Sequence, residues 1–508
     1  MVKRVRVRFA PSPTGPLHIG GVRTAIFNYL YAKKHEGDFI LRIEDTDQSR
    51  YVPGAEEYIV EALHWLGIDP DEGIEQGGQF GPYRQSERKA IYKQYADQLF
   101  QNGHAYYAFD TSEELDLMRD KLKNEKNPIQ QYNAITRINM KNSLTFSSQI
   151  VTQKLANNEP YVIRLKLPED EIITFNDSVL GEFNFHSSQL DDKILFKSDG
   201  MPTYHLANVV DDHLMQITHV IRGSEWTNST PSHILLYRYF GWENEMPIFS
   251  HMPLLLKPDG KGKLSKRDGD RLGFPVFPLE WINHETNEKS SGYREAGYFP
   301  DAFINFLVLL GWNPGINQEI FTKEELIQLF SLERIGKSGS KFDQEKAKWF
   351  NHQYLQQKSN DELASAFSTI LISKGIKPEN FLVSRIIDLV KDRASFIADF
   401  WDLTHYFFQA PTSYDPQIIK KRWKEDTPQI LEEIAQCLSN IKEYNSIEIE
   451  SAIKQYVEKN QYNIGYLLNT LRLSLVGSSL GPSVFEIASI LTVDETVRRI
   501  RKAIQTIN

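Results

Sequence analysis

The amino-acid sequence predicts an α/β protein, with a parallel-sheet domain that carries an α+β insertion and is followed by an all-helical C-terminal region. Residues 5–9 alternate apolar and charged side chains as a strand does, and a turn rich in proline and glycine follows them. From 19 to 32 the apolar side chains recur every three or four positions, which indicates a helix. A second strand is predicted at 39–43. Strand, turn, helix and strand in this order form a βαβ unit, whose two strands are parallel.

The insertion and the helical region are predicted from changes of pattern further along the chain. Between 109 and 190 a polar helical stretch leads into short strands such as 161–166, which interrupts the first domain. The earlier pattern returns with a strand at 218–222. Beyond about residue 332 the chain has the pattern of amphipathic helices with few strand signals, so a separate helical region is expected.

Composition excludes several classes of protein. The chain has 508 residues, a net charge of −9 and one cysteine, Cys437. An acidic chain is not expected to hold nucleic acid through a general basic coat, so any such contact must come from local basic patches. One cysteine allows neither an intramolecular disulfide nor a Cys-rich zinc site. The N-terminal residues are charged rather than apolar, and no run of about 18 apolar residues occurs. We expect no signal peptide, no membrane span and a cytoplasmic location.

The first segment that could contribute to binding or catalysis runs from 8 to 21 and reads RFAPSPTGPLHIGG. A strand that turns through prolines into a helix N-terminus presents backbone N–H groups and the positive end of the helix dipole to an anion. Gly20 and Gly21 leave room for a nucleotide beside the backbone, and the imidazole of His18 can donate to a phosphate oxygen. A glycine pair beside a histidine is more typical of a structural turn when it stands alone. The complete string is far more specific.

The second segment runs from 257 to 267 and reads KPDGKGKLSKR. Its alternating glycines and lysines predict a mobile cationic loop. Such a loop can close over a triphosphate and stabilise the charge that develops on the leaving pyrophosphate. By itself the segment would more often be a solvated surface turn. The two segments together, in this order, favour a nucleotide site.

These segments resemble the HIGH and KMSKS signatures of class I aminoacyl-tRNA synthetases, and the chain as a whole resembles the bacterial glutamyl-tRNA synthetases. Three further strings match that family, at 42–47, 81–88 and 197–213. The match is dense from residue 6 to about 268. Fewer positions match in the C-terminal third, although residues 472–477 still agree with the family pattern. The resemblance implies a Rossmann-like catalytic domain and an all-helical anticodon-binding region.

The resemblance also implies the reaction. L-Glutamate would attack the α-phosphate of ATP, with Mg²⁺ present, and the terminal adenosine of tRNA(Glu) would then take glutamate from the adenylate. A monomer is expected. The implied domains are the two halves of the catalytic domain at 1–108 and 191–250, an inserted acceptor-stem-binding domain at 109–190, a stem-contact domain with the KLSKR loop at 251–332, and the anticodon-binding region at 333–508.

The expected glutamate pocket follows from the chemistry of the substrate. Glutamate carries two carboxylates and one ammonium, so two arginines and one acidic residue should surround it. Arg8 and Arg222 end predicted strands, and Glu44 follows the second strand, at the sheet edge where open α/β sheets bind ligands. The family pattern adds four more residues around the amino acid, which are Ala10, Ser12, Tyr204 and Asn208.

The expected ATP site is carried over from the family motifs. We expect the phosphates near His18, Gly20 and Gly21, and the ribose or base near Glu225 and Trp226. The KLSKR loop should add Ser265 to the ATP site, and Lys263 and Lys266 should stabilise the transition state together with His18. No covalent nucleophile is needed, because positioning and charge stabilisation supply most of the acceleration.

Two expectations concern metals. Mg²⁺ is implied by ATP chemistry and not by a carboxylate cluster, since capping or turn roles are favoured for Asp45 and Asp47. Several bacterial members of the family hold zinc in the insertion through Cys-x-Cys and Cys-x-His pairs. Residues 107–110 and 136–138 stand at those places here and contain neither cysteine nor histidine. No structural zinc is therefore expected, and packing by Tyr106, Tyr107 and Phe109 should hold the insertion.

Other readings remain open at this stage. A glutaminyl-tRNA synthetase would typically carry Pro-Glu-Pro-Asn-Gly where this chain has Pro-Ser-Pro-Thr-Gly at 11–15. The short paralogue that glutamylates a modified tRNA base would lack the C-terminal region. A catalytically silent tRNA-binding protein would not need the histidine and lysines of the two signatures. Basic runs at 420–424 and 498–502 fit either phosphate contacts or solvated helix faces.

Overall fold

A computed structural model of the chain describes residues 3–127, 130–283 and 286–507. These residues form two compact units, Met1–Ala347 and Lys348–Asn508. Met1 and Val2, from which the absence of a signal peptide is predicted, lie outside the described residues, as does the side chain of Arg267 in the KLSKR string. Within the described ranges, no helix has the length and apolar character that a membrane crossing requires.

The first unit begins with the predicted βαβ element. Strand β1 pairs in parallel with β2, with Arg6 opposite Asp38 and Phe9 opposite Leu41. All four residues of β1 are buried, although two are arginines. Burial on both faces is possible because the arginines are paired with carboxylates inside the unit. The elements of this stretch are β1 (Arg6–Phe9), α1 (Ile19–Lys34), β2 (Asp38–Leu41), α2 (Ala55–Leu66) and α3 (Lys89–Gln101).

The next stretch is the predicted interruption of the sheet. Here β3 pairs antiparallel with β4, β4 pairs antiparallel with β7, and β5 and β6 form a hairpin. Its elements are β3 (Ala105–Ala108), α4 (Ser112–Asn124), α5 (Ser148–Ala156), β4 (Val162–Leu165), β5 (Ile172–Asp177), β6 (Gly181–His186) and β7 (Ile194–Phe196). An α+β stretch therefore lies between parts of the parallel sheet, as the change of pattern predicts.

Packing of this stretch includes a buried polar centre that the sequence analysis did not predict. The carboxylate of Asp192, fully buried, accepts from the hydroxyl of Tyr106 at 2.7 Å and from Arg137 at 3.1 Å. The guanidinium of Arg164 lies over the ring of Tyr132, 4.1 Å from its centroid. Hydrogen bonds and an ion pair thus hold the insertion together with its aromatic packing.

The chain then returns to the parallel sheet. Strand β8 pairs in parallel with β9, and the N–H of Thr218, just before β8, donates to the carbonyl of Arg6 on β1 at 2.9 Å. The four parallel strands therefore run in the order β2, β1, β8, β9. The remaining elements are α6 (Tyr204–Leu214), β8 (His219–Gly223), α7 (Thr230–Phe240), β9 (Ile248–Met252), β10 (Leu255–Leu256), α8 (Lys266–Leu272), β11 (Trp281–Ile282), β12 (Lys289–Ser290), α9 (Pro300–Leu309), α10 (Lys323–Leu329) and β13 (Ser340–Lys341).

The second unit is helical throughout its described length, as predicted for the C-terminal region. One helix, α11 (Gln344–Gln357), contains the division between the units. Apolar side chains of α16 to α19 form the core of this unit, including Ile434, Leu471 and Ile500. The helices that follow α11 are α12 (Asn360–Ser373), α13 (Asn380–Asp388), α14 (Asp399–Phe408), α15 (Pro416–Arg422), α16 (Thr427–Ser439), α17 (Ser446–Asn460), α18 (Ile464–Val476) and α19 (Val484–Ile507).

The basic run at 498–502 has a structural use that neither reading foresaw. Arg499 is 2% exposed and donates to the carbonyls of Tyr406 and Leu475. It also pairs with Glu495, which Arg498 shares. At least this arginine of the run is therefore part of the fold and is not a free phosphate ligand.

Candidate active site

A cavity of about 600 Å³ opens at the carboxyl ends of the four parallel strands. Ligands bind at this edge in open α/β sheets, because the loops that follow the strands converge there. Residues from both signature segments line the cavity, although about 245 positions separate them in the chain. Of the residues predicted for the site, the structure brings together Arg8, Ala10, Ser12, His18, Gly20, Gly21, Glu44, Tyr204, Asn208, Arg222, Glu225, Trp226, Lys263 and Lys266.

Arg222, the fourth residue of β8, is a buried cation in this cavity and is 5% exposed. It donates to four neutral groups: His251 Nε2 at 3.0 Å, the hydroxyl of Tyr204 at 2.7 Å, Thr230 Oγ1 at 2.9 Å and the carbonyl of Trp226 at 3.4 Å. No carboxylate in the described ranges forms an ion pair with it. Burial lowers the pKa of Arg222, because removal from water disfavours the charged form. A buried charge without a counter-ion is unfavourable, so this position favours the binding of an anion.

Arg8 has the opposite environment. Its Nε and Nη2 donate to the two carboxylate oxygens of Asp212 at 3.0 and 3.1 Å. Asp212 also accepts from Arg42 Nη1 at 2.8 Å, so one carboxylate lies between two guanidinium groups. Burial would raise the pKa of Asp212, but the charges of Arg8 and Arg42 outweigh it and lower that pKa. Arg8 is thus already neutralised, and a substrate carboxylate at Arg8 would share it with Asp212.

Glu44 is the buried acid of the cavity. Its Oε1 accepts from Arg42 Nη2 and from Asn208 Nδ2, both at 2.9 Å. Burial raises the pKa of Glu44, and the charges of Arg42 and Arg8 offset only part of this effect. A cation close to Oε2 would favour the ionised form. The arrangement therefore suits the ammonium group of an amino acid.

His18 is the N-cap of α1. Its Nδ1 accepts from the backbone N–H of Gly20 at 3.1 Å, so the neutral ring carries its proton on Nε2. Burial, followed by the charges of Lys266 and Lys263, lowers the pKa of His18 to about 4, which keeps the ring neutral at pH 7. The buried Nε2 lies near the backbone of Ser265 but has no well-formed hydrogen bond among the described residues. An unpaired buried donor is unfavourable, and a phosphate oxygen would satisfy it.

Two glycines of the first segment are required by close contacts or by backbone conformation. Gly15 has φ +116°, and a Cβ added there would lie 3.6 Å from Lys266 Nζ, so the turn lies next to the second signature. A Cβ on Gly21 would lie 2.7 Å from Leu17 Cδ1. The close contact with Leu17 is enough to explain why position 21 has no side chain, and a bound nucleotide is not needed for that explanation.

The lysines of the KLSKR loop differ in their partners. Lys263 Nζ is 2.8 Å from Glu225 Oε1. Lys266 is the first residue of α8, and burial lowers its pKa. Ser265 is placed outside the cavity lining, and its hydroxyl donates to Asp268 Oδ2 at 2.6 Å. This serine begins α8 through a capping box with Asp268, which orients the lysine that follows it.

An aromatic pair lies beside Glu225. The rings of Trp226 and Tyr204 are 4.5 Å apart between centroids, and Trp226 is 41% exposed. An exposed aromatic face at the mouth of a polar cavity offers a stacking surface for a base. Burial would raise the pKa of Glu225, but the ion pair with Lys263 lowers it.

The carboxylates proposed for turns are engaged in local bonds. Asp45 Oδ1 accepts from the N–H of Ser86 at 2.8 Å, and Asp47 Oδ1 accepts from the hydroxyl of Ser49 at 2.7 Å. The described residues contain no group of three or more His, Cys, Asp and Glu side chains that could hold a metal ion.

Several residues that shape the cavity were not among those predicted from the sequence. Arg42 and Asp212 stand inside family strings, and the acidic pair at 211–212 in an otherwise apolar helix segment is a signal of buried carboxylates. His251 lies in a buried strand of apolar character, which gives a weaker signal. Asp177 contacts His251 from 74 positions away in the chain, and no sequence pattern predicts that contact.

Comparison with protein families agrees with this geometry. Residues 4–349 match the family described as tRNA synthetases class I (E and Q), catalytic domain. Residues 347–504 match the family described as anticodon binding domain. The two matched ranges meet where the structure divides into its two units.

Comparison with individual proteins is equally specific. The curated glutamate–tRNA ligase of Flavobacterium johnsoniae is 56% identical over 507 residues and covers 100% of both chains. That of Phocaeicola vulgatus is 54% identical, with 99% of each chain covered. A solved glutamate tRNA ligase from Elizabethkingia meningosepticum, in complex with its amino acid, has a TM-score of 0.97 and 48% identity over 100% of both chains. The chain therefore belongs to the glutamate–tRNA ligases, class I tRNA synthetases with a parallel-sheet catalytic domain and a helical anticodon-binding domain.

Proposed function

We propose that the chain joins L-glutamate to the terminal adenosine of tRNA(Glu) in two steps, with ATP as the energy source. The observation that carries the proposal is the buried guanidinium of Arg222, which lacks a carboxylate partner in the described structure and lies in a cavity with the buried acid Glu44. A ligand with both a carboxylate and an ammonium group complements these two residues. The side-chain carboxylate of glutamate would neutralise Arg222, whereas the neutral side-chain amide of glutamine would not.

The amino-acid pocket has a division of roles. Arg222 and Tyr204 hold the side-chain carboxylate, and Glu44 holds the α-ammonium. Arg8 orients the α-carboxylate. Because Arg8 is already paired with Asp212, its charge is partly compensated before the substrate binds. Ala10, Ser12 and Asn208 complete the walls of the pocket around the amino acid.

ATP occupies the part of the cavity between the signature segments. The Nε2–H of His18 and the backbone at Gly20 and Gly21 face the phosphates, and Trp226 stacks on the base. Glu225 lies on the ribose side, and Ser265 supports the loop from its cap. Lys263 and Lys266 stabilise the negative charge that grows on the leaving pyrophosphate.

The chemistry consists of two displacements. In the first, a carboxylate oxygen of glutamate attacks the α-phosphorus, and pyrophosphate leaves. In the second, a ribose hydroxyl of tRNA attacks the acyl carbon, and AMP leaves. Mg²⁺ bound with ATP would help to neutralise the charge of the phosphates during the first displacement. The rate enhancement comes from placement and charge stabilisation by the residues named above.

Domain roles complete the proposal. The segment 109–190 contacts the acceptor stem, 251–332 contacts the stem and carries the KLSKR loop, and 333–508 reads the anticodon. The halves 1–108 and 191–250 form the catalytic domain. The enzyme acts as a monomer in the cytoplasm.

The decisive experiment compares two amino acids. ATP–pyrophosphate exchange is measured with glutamate and with glutamine in the presence of tRNA(Glu), and transfer to tRNA is then measured with each. We expect glutamate to support both steps and glutamine to support neither at comparable concentration. Better exchange and transfer with glutamine than with glutamate would refute the assignment.

A further inference from the structure

A buried aspartate and a buried histidine form a hydrogen-bonded line to Arg222. Asp177 Oδ2 is 2.6 Å from His251 Nδ1, and His251 Nε2 accepts from Arg222 Nε at 3.0 Å. Asp177 is 2% exposed and His251 is 0% exposed. Asp177 ends β5, whose hairpin with β6 lies in the inserted segment, whereas His251 is on β9 and Arg222 is on β8. The insertion therefore contributes a residue to the support of the amino-acid pocket.

The geometry determines which nitrogen of His251 carries the proton. Asp177 Oδ1 accepts from the backbone N–H groups of Val179 at 3.0 Å and Leu180 at 2.9 Å, and the N–H of His251 is shared between Oδ1 at 3.2 Å and Oδ2 at 3.1 Å. Its Oδ2 is thereby aimed at Nδ1 of the imidazole. A carboxylate accepts, so Nδ1 carries the proton and Nε2 presents a lone pair to Arg222.

We infer that Asp177 and His251 are positioning residues that aim the guanidinium of Arg222 at the side-chain carboxylate of glutamate. The inference rests on the proposed function of Arg222. An acceptor at Nε fixes the plane of the guanidinium, while Tyr204 and Thr230 each take one N–H of the two terminal nitrogens. The other N–H of Nη1 is left for a ligand, and that of Nη2 makes only a long contact, 3.4 Å, with the carbonyl of Trp226.

The same arrangement places a buried carboxylate one imidazole away from Arg222 and uses only the Nε–H of that arginine. Arg8, by contrast, has a carboxylate in direct contact, and two of its nitrogens are committed to Asp212. The intervening histidine therefore explains how Arg222 is supported and still open to an anion.

The charged groups around His251 agree with a neutral ring. Asp177 faces it from β5, Arg222 from β8, Glu225 from the turn after β8 and His233 from α7. Burial and the charge of Arg222 lower the pKa of His251, although its bond to Asp177 opposes them. A protonated ring would direct an N–H at the N–H of Arg222 and would lose the contact.

The first test is Asp177→Asn. The backbone N–H groups of Val179 and Leu180 keep the amide oxygen at the Oδ1 position, so the amide NH₂ faces Nδ1 and favours the tautomer with the proton on Nε2. That proton opposes Arg222 Nε. We expect the KM for glutamate to rise on the order of tenfold to a hundredfold, as for loss of a hydrogen bond to a charged group, while the KM for ATP stays within about twofold. Ser178→Ala removes a neighbouring contact of the hairpin to Ser250 and should leave both constants unchanged.

The second test changes the histidine. His251→Gln keeps an acceptor for Arg222, and His251→Leu removes it at similar volume. The KM for glutamate should therefore rise less in the glutamine variant than in the leucine variant. Equal constants in the two variants, an unchanged KM for glutamate in Asp177→Asn, or a parallel change in both substrate constants and kcat would each overturn the inference.

Arg222→Ala separates this inference from the proposed function. Loss of glutamate use in that variant, with normal kinetics in Asp177→Asn, would leave the pocket intact and refute only the positioning role. Normal glutamate affinity in Arg222→Ala would refute the pocket itself.

Discussion

Arg8 and Arg222 are both buried arginines at the ends of neighbouring strands, yet they play different parts. Asp212 neutralises Arg8 directly, whereas Arg222 contacts only neutral groups in the described structure. Because one cation is already compensated and the other is not, the second is the stronger anion site. We therefore expect the preference for a charged rather than an amide side chain to depend on Arg222.

Replacement of Arg222 by alanine tests this difference. We expect the KM for glutamate to rise by on the order of a hundredfold or more, because a bidentate charged contact is lost. Arg238→Ala is the matched control, since Arg238 pairs with Glu171 at the surface and should leave the KM unchanged. Steady-state ATP–pyrophosphate exchange measures the KM for glutamate of both variants. A normal KM in the Arg222 variant would contradict the proposed pocket.

His18 combines two roles that can be separated by substitution. Asparagine can keep the N-cap that Nδ1 provides, but it cannot reach the phosphates from the Nε2 position. We expect His18→Asn to lower the activation rate on the order of tenfold to a thousandfold with little change in the free energy of unfolding. Glutamine has the longer reach but a weaker cap, so His18→Gln should lose about 0.5–2 kcal/mol of stability and retain more activity. Single-turnover kinetics and urea unfolding measure these two quantities. A more active His18→Asn or a more stable His18→Gln would contradict the assignment.

At the scale of elements, the KLSKR loop is positioned by a helix that begins inside it. The capping box of Ser265 and Asp268 starts α8 at Lys266, and the ion pair with Glu225 holds Lys263. The short helix α8 thus orients Lys266, and the exposed ion pair with Glu225 holds Lys263. The loop and the first signature meet at Gly15.

Lys266→Ala should therefore lower the rate of glutamate activation on the order of tenfold to a thousandfold, typical for loss of a transition-state stabiliser. Lys261, exposed in the same loop, provides the control, because its side chain does not line the cavity. Pre-steady-state exchange with both variants checks the expectation. An unchanged rate for Lys266→Ala would remove the loop from the mechanism.

At the scale of the whole molecule, several buried histidines make stability depend on pH. Burial lowers the pKa of His18 to about 4, that of His205 to about 3 and that of His219 to about 4. In the unfolded chain these groups have a pKa of about 6.5. Between those values the unfolded state binds protons that the folded state excludes, so acidification favours unfolding.

The free energy of unfolding should therefore be nearly constant above pH 7 and should fall as the pH drops from about 6.5 to 5. Urea unfolding of the full chain, followed by tryptophan fluorescence, measures this dependence. His205→Gln cannot titrate and should reduce the slope. Glu44 and Asp192, whose pKa values burial raises, bind protons more readily in the folded state and therefore act in the opposite sense. A flat profile between pH 6.5 and 5 would contradict the expectation.

The predictability of the site differs from residue to residue. Arg8, Glu44 and Arg222 could be predicted because the family resemblance marks them and because they stand at the ends of predicted parallel strands, which share one edge of a sheet. His251 and Asp177 could not, because their contact joins an insertion hairpin to a sheet strand across 74 positions. Local pattern carries no information on such a pairing.

The sequence by itself determined the family, the βαβ start, the helical C-terminal region and the residues of the two signatures, because each is encoded in a contiguous string or a local periodicity. Tertiary structure alone decided which charges are compensated. Asp212 between two arginines and His251 between Asp177 and Arg222 are consequences of packing distant segments in a dry interior. Burial then turns these contacts into pKa shifts and an open anion site, since charge interactions strengthen where water is excluded.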